Sequence, residues 1–338
     1  MKKIHVLLSN VLLVTLLLSS TAYSQNKKYE FSKDRSISQT YNASGSDKLT
    51  ISNQFGKVVV HTWARNEVKV DVKIEVSSTL KDQADEMFEK IDVSHGKDGN
   101  NIYFKTTMDK NKDKNKDKSE NKQRGTHSNS INIDYEISMP AGLTLDLDNK
   151  FGKTTLPDLQ GKVDIEQQFG DLEAGKLSSP GKVIVKFGSA TIESVNGGSY
   201  DFQFVSNTAV IKNATGDIKV KTQHCKSNGV VIHAANTSSV DVDAQHSDVS
   251  VVVPKDMSAQ YSVETHFGSF KNSSSFTIKK EGDEDDDKHR GPKFNSSWKG
   301  TSGQGKTRIM LDGNFTDFYI GHDAPPAKPK NDKKVRSV

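Results

Sequence analysis

The feature that most constrains this chain is a short phrase that keeps returning. Leu145-Asp-Leu-Asp-Asn-Lys-Phe151-Gly152 is followed by Val163-Asp-Ile-Glu-Gln-Gln-Phe169-Gly170 and by Val183-Ile-Val-Lys-Phe187-Gly188. Variants end at Phe204, His224, His246 and Phe267, so the spacings between marked positions are 18, 18, 17, 20, 22 and 21. A period near twenty held over seven units is the signature of stacked structural repeats, in which no unit buries its apolar face alone. Within each unit apolar and polar residues alternate, as in Val163, Ile165 against Asp164, Glu166. That is the pattern of a strand with one buried face. A second short strand follows, such as Leu172-Glu-Ala174 or Ala190-Thr-Ile192. Two strands and two corners thus fit each period, and glycine after Phe suits a corner.

This pattern predicts an all-β fold, a single-stack parallel β-solenoid of about 20 residues per coil. The alternative is an antiparallel β-sandwich of hairpins. In the solenoid, equivalent residues lie above one another at the inter-strand spacing of ~4.8 Å. Phe55, Phe151, Phe169, Phe187, Phe204, His224, His246, Phe267 and Phe315 then form a structural ladder, with the rings expected to point inward. Seven of these are among only 15 phenylalanines in the chain. The phrase also occurs early, at Leu49-Thr-Ile-Ser-Asn53-Gln-Phe55-Gly56, and late, at Ile309 to Ile320, which reads as a closing copy. Val68 to Val76 alternates as a strand. Thr79 to Ile91 is the one helical stretch, with Leu80, Ala84, Met87, Phe88 and Ile91 on one face.

Composition fits a thin core. The 338 residues are 33% hydrophobic and 7% aromatic, where globular domains carry roughly 45–50% apolar residues. Residues 1–24 read as a signal peptide: Lys2 and Lys3, then an apolar run from Ile4 to Leu18, then Ala22-Tyr23-Ser24 before Gln25. The predicted organisation is a signal peptide (1–24), an N-terminal extension (25–46), a β-repeat domain (47–321) and a disordered basic tail (322–338). Charged inserts at 109–130 and 281–291 are expected to be flexible, since such runs bury too little apolar surface to order themselves. No apolar run after the signal is long enough to span a membrane as a helix. The formal net charge is +4, and +2 without Lys2 and Lys3. That is too weak a balance to point to nucleic acid.

Candidate chemistry is sparse. Gly300-Thr-Ser-Gly-Gln-Gly305-Lys306-Thr307 matches a phosphate-binding loop in letters, but such a loop needs a helix after it. Here Arg308-Ile-Met-Leu311 reads as a strand, so no nucleotide is expected. Neighbouring coils could bring His224 and His246 within metal-ligand distance, yet His266 is one place out of step and faces outward, so the three do not converge. Cys225 beside His224 raises nucleophilic catalysis, but neighbours on a strand point to opposite faces. The acidic run Glu281 to Asp287 lacks the spacing of a calcium loop. No catalytic, cofactor-binding or metal residue is therefore assigned, and no cofactor is expected. Lys150, Gln168, Lys186, Gln203, Gln223 and Gln245 share one repeat position and form a candidate outward polar row.

The exported start, the phrases at 49–56 and 145–152, and the Gly-Lys-Val and Gly-Asp-Ile openers at 161, 181 and 216 resemble the bacterial putative-adhesin family, a β-strand-repeat domain of unknown function. The resemblance spans Tyr41 to Ile320 and departs from the pattern at His224, His246 and the charged inserts. It implies an exported β-repeat protein and brings no catalytic residues with it. The expected function is a non-enzymatic cell-envelope scaffold, in the periplasm or on the outer surface, binding an envelope macromolecule or a surface glycan. The alternatives are a polysaccharide-active β-solenoid enzyme and a periplasmic partner of an envelope-sensing system.

Overall fold

A computed structural model describes residues 29–109, 128–196, 198–227, 229–282 and 294–325. The expected signal peptide, most of both charged inserts and most of the basic tail lie outside the described residues. Among the described residues the chain is all-β with one helix, and its strands join into one mixed sheet that curls nearly closed like a barrel.

Consider the N-terminal end first. Strand β1 (Phe31–Asn42) lies in the stretch read as an extension. It is followed by β2 (Lys48–Asn53), β3 (Val58–Trp63), β4 (Glu67–Ser78), helix α1 (Lys81–Lys90), β5 (Ile91–Asp98), β6 (Asn101–Met108) and β7 (Asn129–Pro140). β6 and β7 run parallel to β2 and β3. Three antiparallel pairings finish this end: β5 on β6, β4 on β7, and β1 on β4. The helix packs on β1, β4 and β5. Ala84 is buried and Met87 and Phe88 half-buried, as the periodicity predicts. Leu80 differs. It is the N-cap, outside the first turn, and is exposed, with its N–H donated to Ser78 Oγ at 3.0 Å.

The middle is regular. β8 (Thr144–Asn149), β10 (Val163–Gln168), β12 (Gly181–Lys186) and β14 (Ser199–Val205) pair in parallel, as do β9 (Thr154–Leu156), β11 (Leu172–Leu177) and β13 (Ser189–Val195). Two long strands, β15 (Thr208–Gln223) and β16 (Val230–Gln245), serve both ladders. Their first halves extend the β9–β11–β13 ladder and their second halves the β8–β10–β12–β14 ladder. Register explains the core. Leu145, Val163 and Leu147, Ile165 are Cα partners, as are Ile165, Val183 and Val183, Phe202. All are buried and belong to one continuous apolar cluster with Leu156, Leu172, Ala174, Ile192 and Ile211.

The C-terminal end contains β17 (Asp248–Val252), β18 (Ala259–His266), β19 (Ser269–Ser273), β20 (Ile278–Lys280), β21 (Asn295–Thr301), β22 (Thr307–Asn314) and β23 (Asp317–Gly321). Here chain order and spatial order part. β22 and β23 lie on β16 and β17, and β18 and β19 lie outside them. β21 then pairs antiparallel with β18, and β20 with β21.

Two expectations are corrected. The fold is not a clean parallel solenoid, because antiparallel strands close both ends; nor is it an antiparallel sandwich, because the middle is parallel. The copy at Ile309–Ile320 is not the closing coil. Its pairing with Val240 on one side and Tyr261 on the other places it between two coils that precede it in sequence. By contrast the early copy stacks on its twin, with Leu49 opposite Leu145 and Ile51 opposite Leu147.

Candidate functional site: an aromatic ridge along one corner

Each first strand ends at a corner. From the third coil onward the corner residue itself is left-handed, with φ from 48° at His246 to 59° at Phe187 and similar values at Phe169, His224, Phe267 and Phe315. In the two earlier coils the positive φ falls instead on Gly56 and Gly152. A left-handed non-glycine residue costs about 1–2 kcal/mol. Its direction matters more here. From Phe169 onward the left-handed turn breaks the in-out alternation of the strand, so the corner side chain leaves the core. Phe151, Phe169, Phe187, Phe267 and Phe315 are 43–51% exposed, being 43%, 48%, 47%, 51% and 44%. The inward ladder is therefore corrected to an outward one.

The rings stack on one another along this corner. Centroid separations are 5.3 Å for Phe55–Phe151, 5.1 Å for Phe151–Phe169 and 4.8 Å for Phe169–Phe187. A second stack runs His224–His246 at 5.3 Å, His246–Phe315 at 4.8 Å and Phe315–Phe267 at 4.9 Å. Aromatic pairs at such spacings add about 0.5–1.5 kcal/mol each beyond burial, which offsets part of the strain at the left-handed corners.

Phe204 is not a member. It is fully buried and pairs with Val185, two places before the corner. The corner of that coil is Ser206, at φ 50°. Likewise Gln203 drops out of the outward polar row, and Val205 continues it between Lys186 and Gln223. The sequence carries a signal for this. With Ser206 as the mark, the spacings from Phe151 to His224 become 18, 18, 19 and 18, more even than with Phe204.

Behind the ridge lies a buried polar column that the sequence reading missed. Asn53 Nδ2 donates to Asn149 Oδ1 at 3.2 Å and to the Ile133 carbonyl at 3.0 Å. Asn149 Nδ2 donates to Thr154 Oγ1 at 3.2 Å, and Thr154 Oγ1 to Gln167 Oε1 at 2.5 Å. Gln167 Nε2 reaches the Gly152 carbonyl at 2.8 Å. In later coils Asn207, Cys225, Ser247 and Thr316 continue the column from the position after the corner, all buried. Cys225 Sγ sits 3.4 Å from the Phe204 carbonyl and 3.5 Å from Asn207 Oδ1, a packed thiol facing away from His224.

The remaining candidates disperse. His224 and His246 stack face to face, so their in-plane lone pairs cannot converge on one ion, while His266 binds Asn295 Oδ1 at 2.7 Å. Among the described residues no group of three or more His, Cys, Asp or Glu is placed to hold a metal. Gly300 to Thr307 is a turn from β21 into β22, and the N–H groups of Gln304 and Lys306 donate to Ser258 Oγ instead of pointing at an anion site. The acidic run at 283–287 lies outside the described residues. Asp148 and Glu166 are Cα partners on adjacent strands. Burial holds the Asp148 carboxyl above its usual range, while a hydrogen bond from Lys186 holds Glu166 below its own. They lie on the outer face of the sheet, on strands whose main contacts among the described residues are with their ladder neighbours.

No family model and no curated protein matches the chain. Among solved structures it is similar to a putative adhesin from Bacteroides fragilis, at 11% identity and a TM-score of 0.41, over 85% of this chain and 96% of that one. It is also similar to a putative cell adhesion protein from Clostridium sporogenes, at 12% identity and a TM-score of 0.22, over 86% and 99%. No described helix is long and apolar enough to cross a membrane.

Proposed function

We propose that the chain is an exported, non-enzymatic scaffold of the bacterial cell envelope, adhesin-like, which binds another macromolecule through its aromatic corner ridge. One observation carries this reading: large aromatic rings lie half-exposed in two stacked rows along one corner of a chain that has few aromatics to spend. Contiguous apolar surface of that kind marks interaction sites. The flat faces are different in character. Lys153–Glu173, Lys162–Asp164, Lys186–Glu166 and Lys212–Glu193 pair charge with charge across them, and such exposed pairs add little binding energy of their own.

The test is a triple variant, Phe151→Ser, Phe169→Ser, Phe187→Ser, compared with the parent for retention on isolated cell-envelope material and on purified surface glycans. Loss of retention with an unchanged circular dichroism spectrum supports the ridge; undiminished retention removes it. Protease shaving of intact cells separates surface display from periplasmic residence. For a glycan-cleaving reading the candidate pair is Asp148 and Glu166, Cα partners on adjacent strands whose carboxyls are displaced in opposite directions. Release of reducing ends that disappears in Glu166→Gln would replace the binding proposal with that one.

A further inference from the structure

The ridge is interrupted once. Its backbone runs through the interruption without a break: Phe187 N–H donates to the Val205 carbonyl at 2.9 Å, Ser206 N–H to Gln223 at 2.8 Å, and His224 N–H to Gln245 at 3.0 Å. Only the ring is missing. Phe187 stacks on Phe169 and His224 on His246, and among the described residues no ring covers the far face of either. Between them stands Ser206, exposed and small. Two coil steps of ~4.8 Å leave about 10 Å between the planes of Phe187 and His224. One further ring fits midway, about 4.8 Å from each, inside the favourable range for stacked aromatics.

We propose that the Ser206 interruption is a docking slot for one aromatic side chain of a protein partner. The proposal rests on the ridge as the binding surface and names what the ridge recognises. Three features select this occupant. The walls are two ring faces already held in parallel stacks, at 10° to Phe169 and 9° to His246. The ridge accepts such a guest elsewhere: Phe294, which precedes the antiparallel strand β21 and is not a corner residue of the repeat, sets its ring against Phe267 at 4.8 Å and a 35° tilt. Finally, the floor offers one serine hydroxyl, whereas a sugar ring needs several hydrogen-bonding partners to be held in place.

The probes are N-acetyl-tryptophanamide and N-acetyl-tyrosinamide, with an N-acetylglucosamine trimer as the sugar control, titrated into the purified protein and followed by NMR. Saturable shifts centred on His224 and Phe187 are expected from the amides. Ser206→Phe fills the slot from within. It should fold, because Phe169 and Phe187 hold phenylalanine at nearly the same φ, and its melting temperature should equal or exceed the parent's. Its amide affinity should fall by about tenfold or more. His224→Ala removes one wall without filling the gap and should weaken the amides as well. No shift with either amide, shifts that persist in Ser206→Phe, or shifts produced by the sugar trimer instead would each overturn the slot. The envelope-binding assay separates the two claims. If the triple Phe→Ser variant loses binding and Ser206→Phe retains it, the ridge stands and the slot falls. If neither variant loses binding, the ridge itself falls. If both lose binding, the slot is supported.

Discussion

The corners at Phe151, Phe169 and Phe187 and those at His224, His246 and Phe315 solve one problem in two ways. In the first group glycine follows the corner, and adjacent coils come so close that a side chain is impossible. A Cβ on Gly170 would lie 1.9 Å from the Gly152 carbonyl oxygen, and one on Gly188 2.0 Å from that of Gly170. At Asn149 and Gln167 the space behind the corner is filled from two residues earlier, by amides that hydrogen-bond along the column. In the second group the residue after the corner has a side chain: Cys225, Ser247 or Thr316. The residue two before the corner is then small in two of three cases, Ala244 and Gly313. A Cβ on Gly313 would come 2.8 Å from Thr316 Cβ, which shows how the two positions share one volume. What the repeat preserves is a filled space behind the corner, hydrogen-bonded at Asn149, Gln167, Cys225, Ser247 and Thr316, and the letters that supply it change.

The comparison breaks most sharply at glycine. Gly170→Ala should destabilise by roughly 3 kcal/mol or more, because the clash is with backbone and no rotamer relieves it. Urea unfolding followed by circular dichroism measures this. A loss under 1 kcal/mol would mean that adjacent coils can part at the corner and that the glycine is not required. Next comes the polar column. Asn149→Leu removes the acceptor of Asn53 and a donor to Thr154, leaving buried polar groups without those partners at a cost of about 2 kcal/mol. Ser247→Ala should cost about the same. Ser247 Oγ receives the Cys225 N–H at 3.2 Å and donates to the Gln245 carbonyl at 2.8 Å. Equal losses at Asn149 and Ser247 would confirm that the two groups of corners are energetically alike; a loss at one alone would separate them.

The same comparison shows what the sequence can disclose. Alternation within a unit is local, so the strands, the core residues Leu145, Ile165 and Val183, and the approximate period could be read directly. The direction of the corner ring could not. From Phe169 onward it depends on one left-handed φ, and parity counted along Val163, Ile165, Gln167 carries Phe169 to the wrong side. Phe204 misled for a related reason. An aromatic at nearly the right spacing outweighed Ser206-Asn207, a pair that carries the corner geometry without its usual residues. Coil order at the C-terminal end was hidden because adjacency there is set by pairing across about seventy residues, Val240 with Ile309. The phrase at Ile309 is equally compatible with any stacking position. Its insertion between earlier coils also means that β18 has no parallel partner until β22 arrives.

A smaller effect concerns the ridge itself. Phe169→Ser removes two stacking contacts from an exposed site and should cost about 1 kcal/mol. Thermal melts would detect it. If Phe169→Ser cost as much as Asn149→Leu, the rings would be part of the core in energetic terms and the ridge would owe its existence to stability alone. A loss near zero would leave binding as the reason for exposed aromatics.

The smallest expected effect is electrostatic and has a sign that can be worked out. Asp148 has its pKa raised, first by burial and then by Glu166 and Asp146 nearby. The folded chain therefore holds its proton more tightly than the unfolded chain does. Ionised Asp148 opposes folding at neutral pH, and the penalty disappears as pH falls through its raised pKa. Asp148→Asn should thus be slightly more stable than the parent at pH 7, by a fraction of a kcal/mol because the group is partly solvated, and no more stable in acid. Glu166 works the other way. Its pKa is lowered chiefly by Lys186, so it supports folding above the usual glutamate pKa and loses that support as pH falls through its depressed value. Glu166→Gln should therefore be less stable than the parent at pH 7 and converge with it in acid. Opposite pH slopes for the two variants would fix the pair as a structural contact between adjacent strands. Slopes of the same sign would mean that Lys186 screens both carboxylates together.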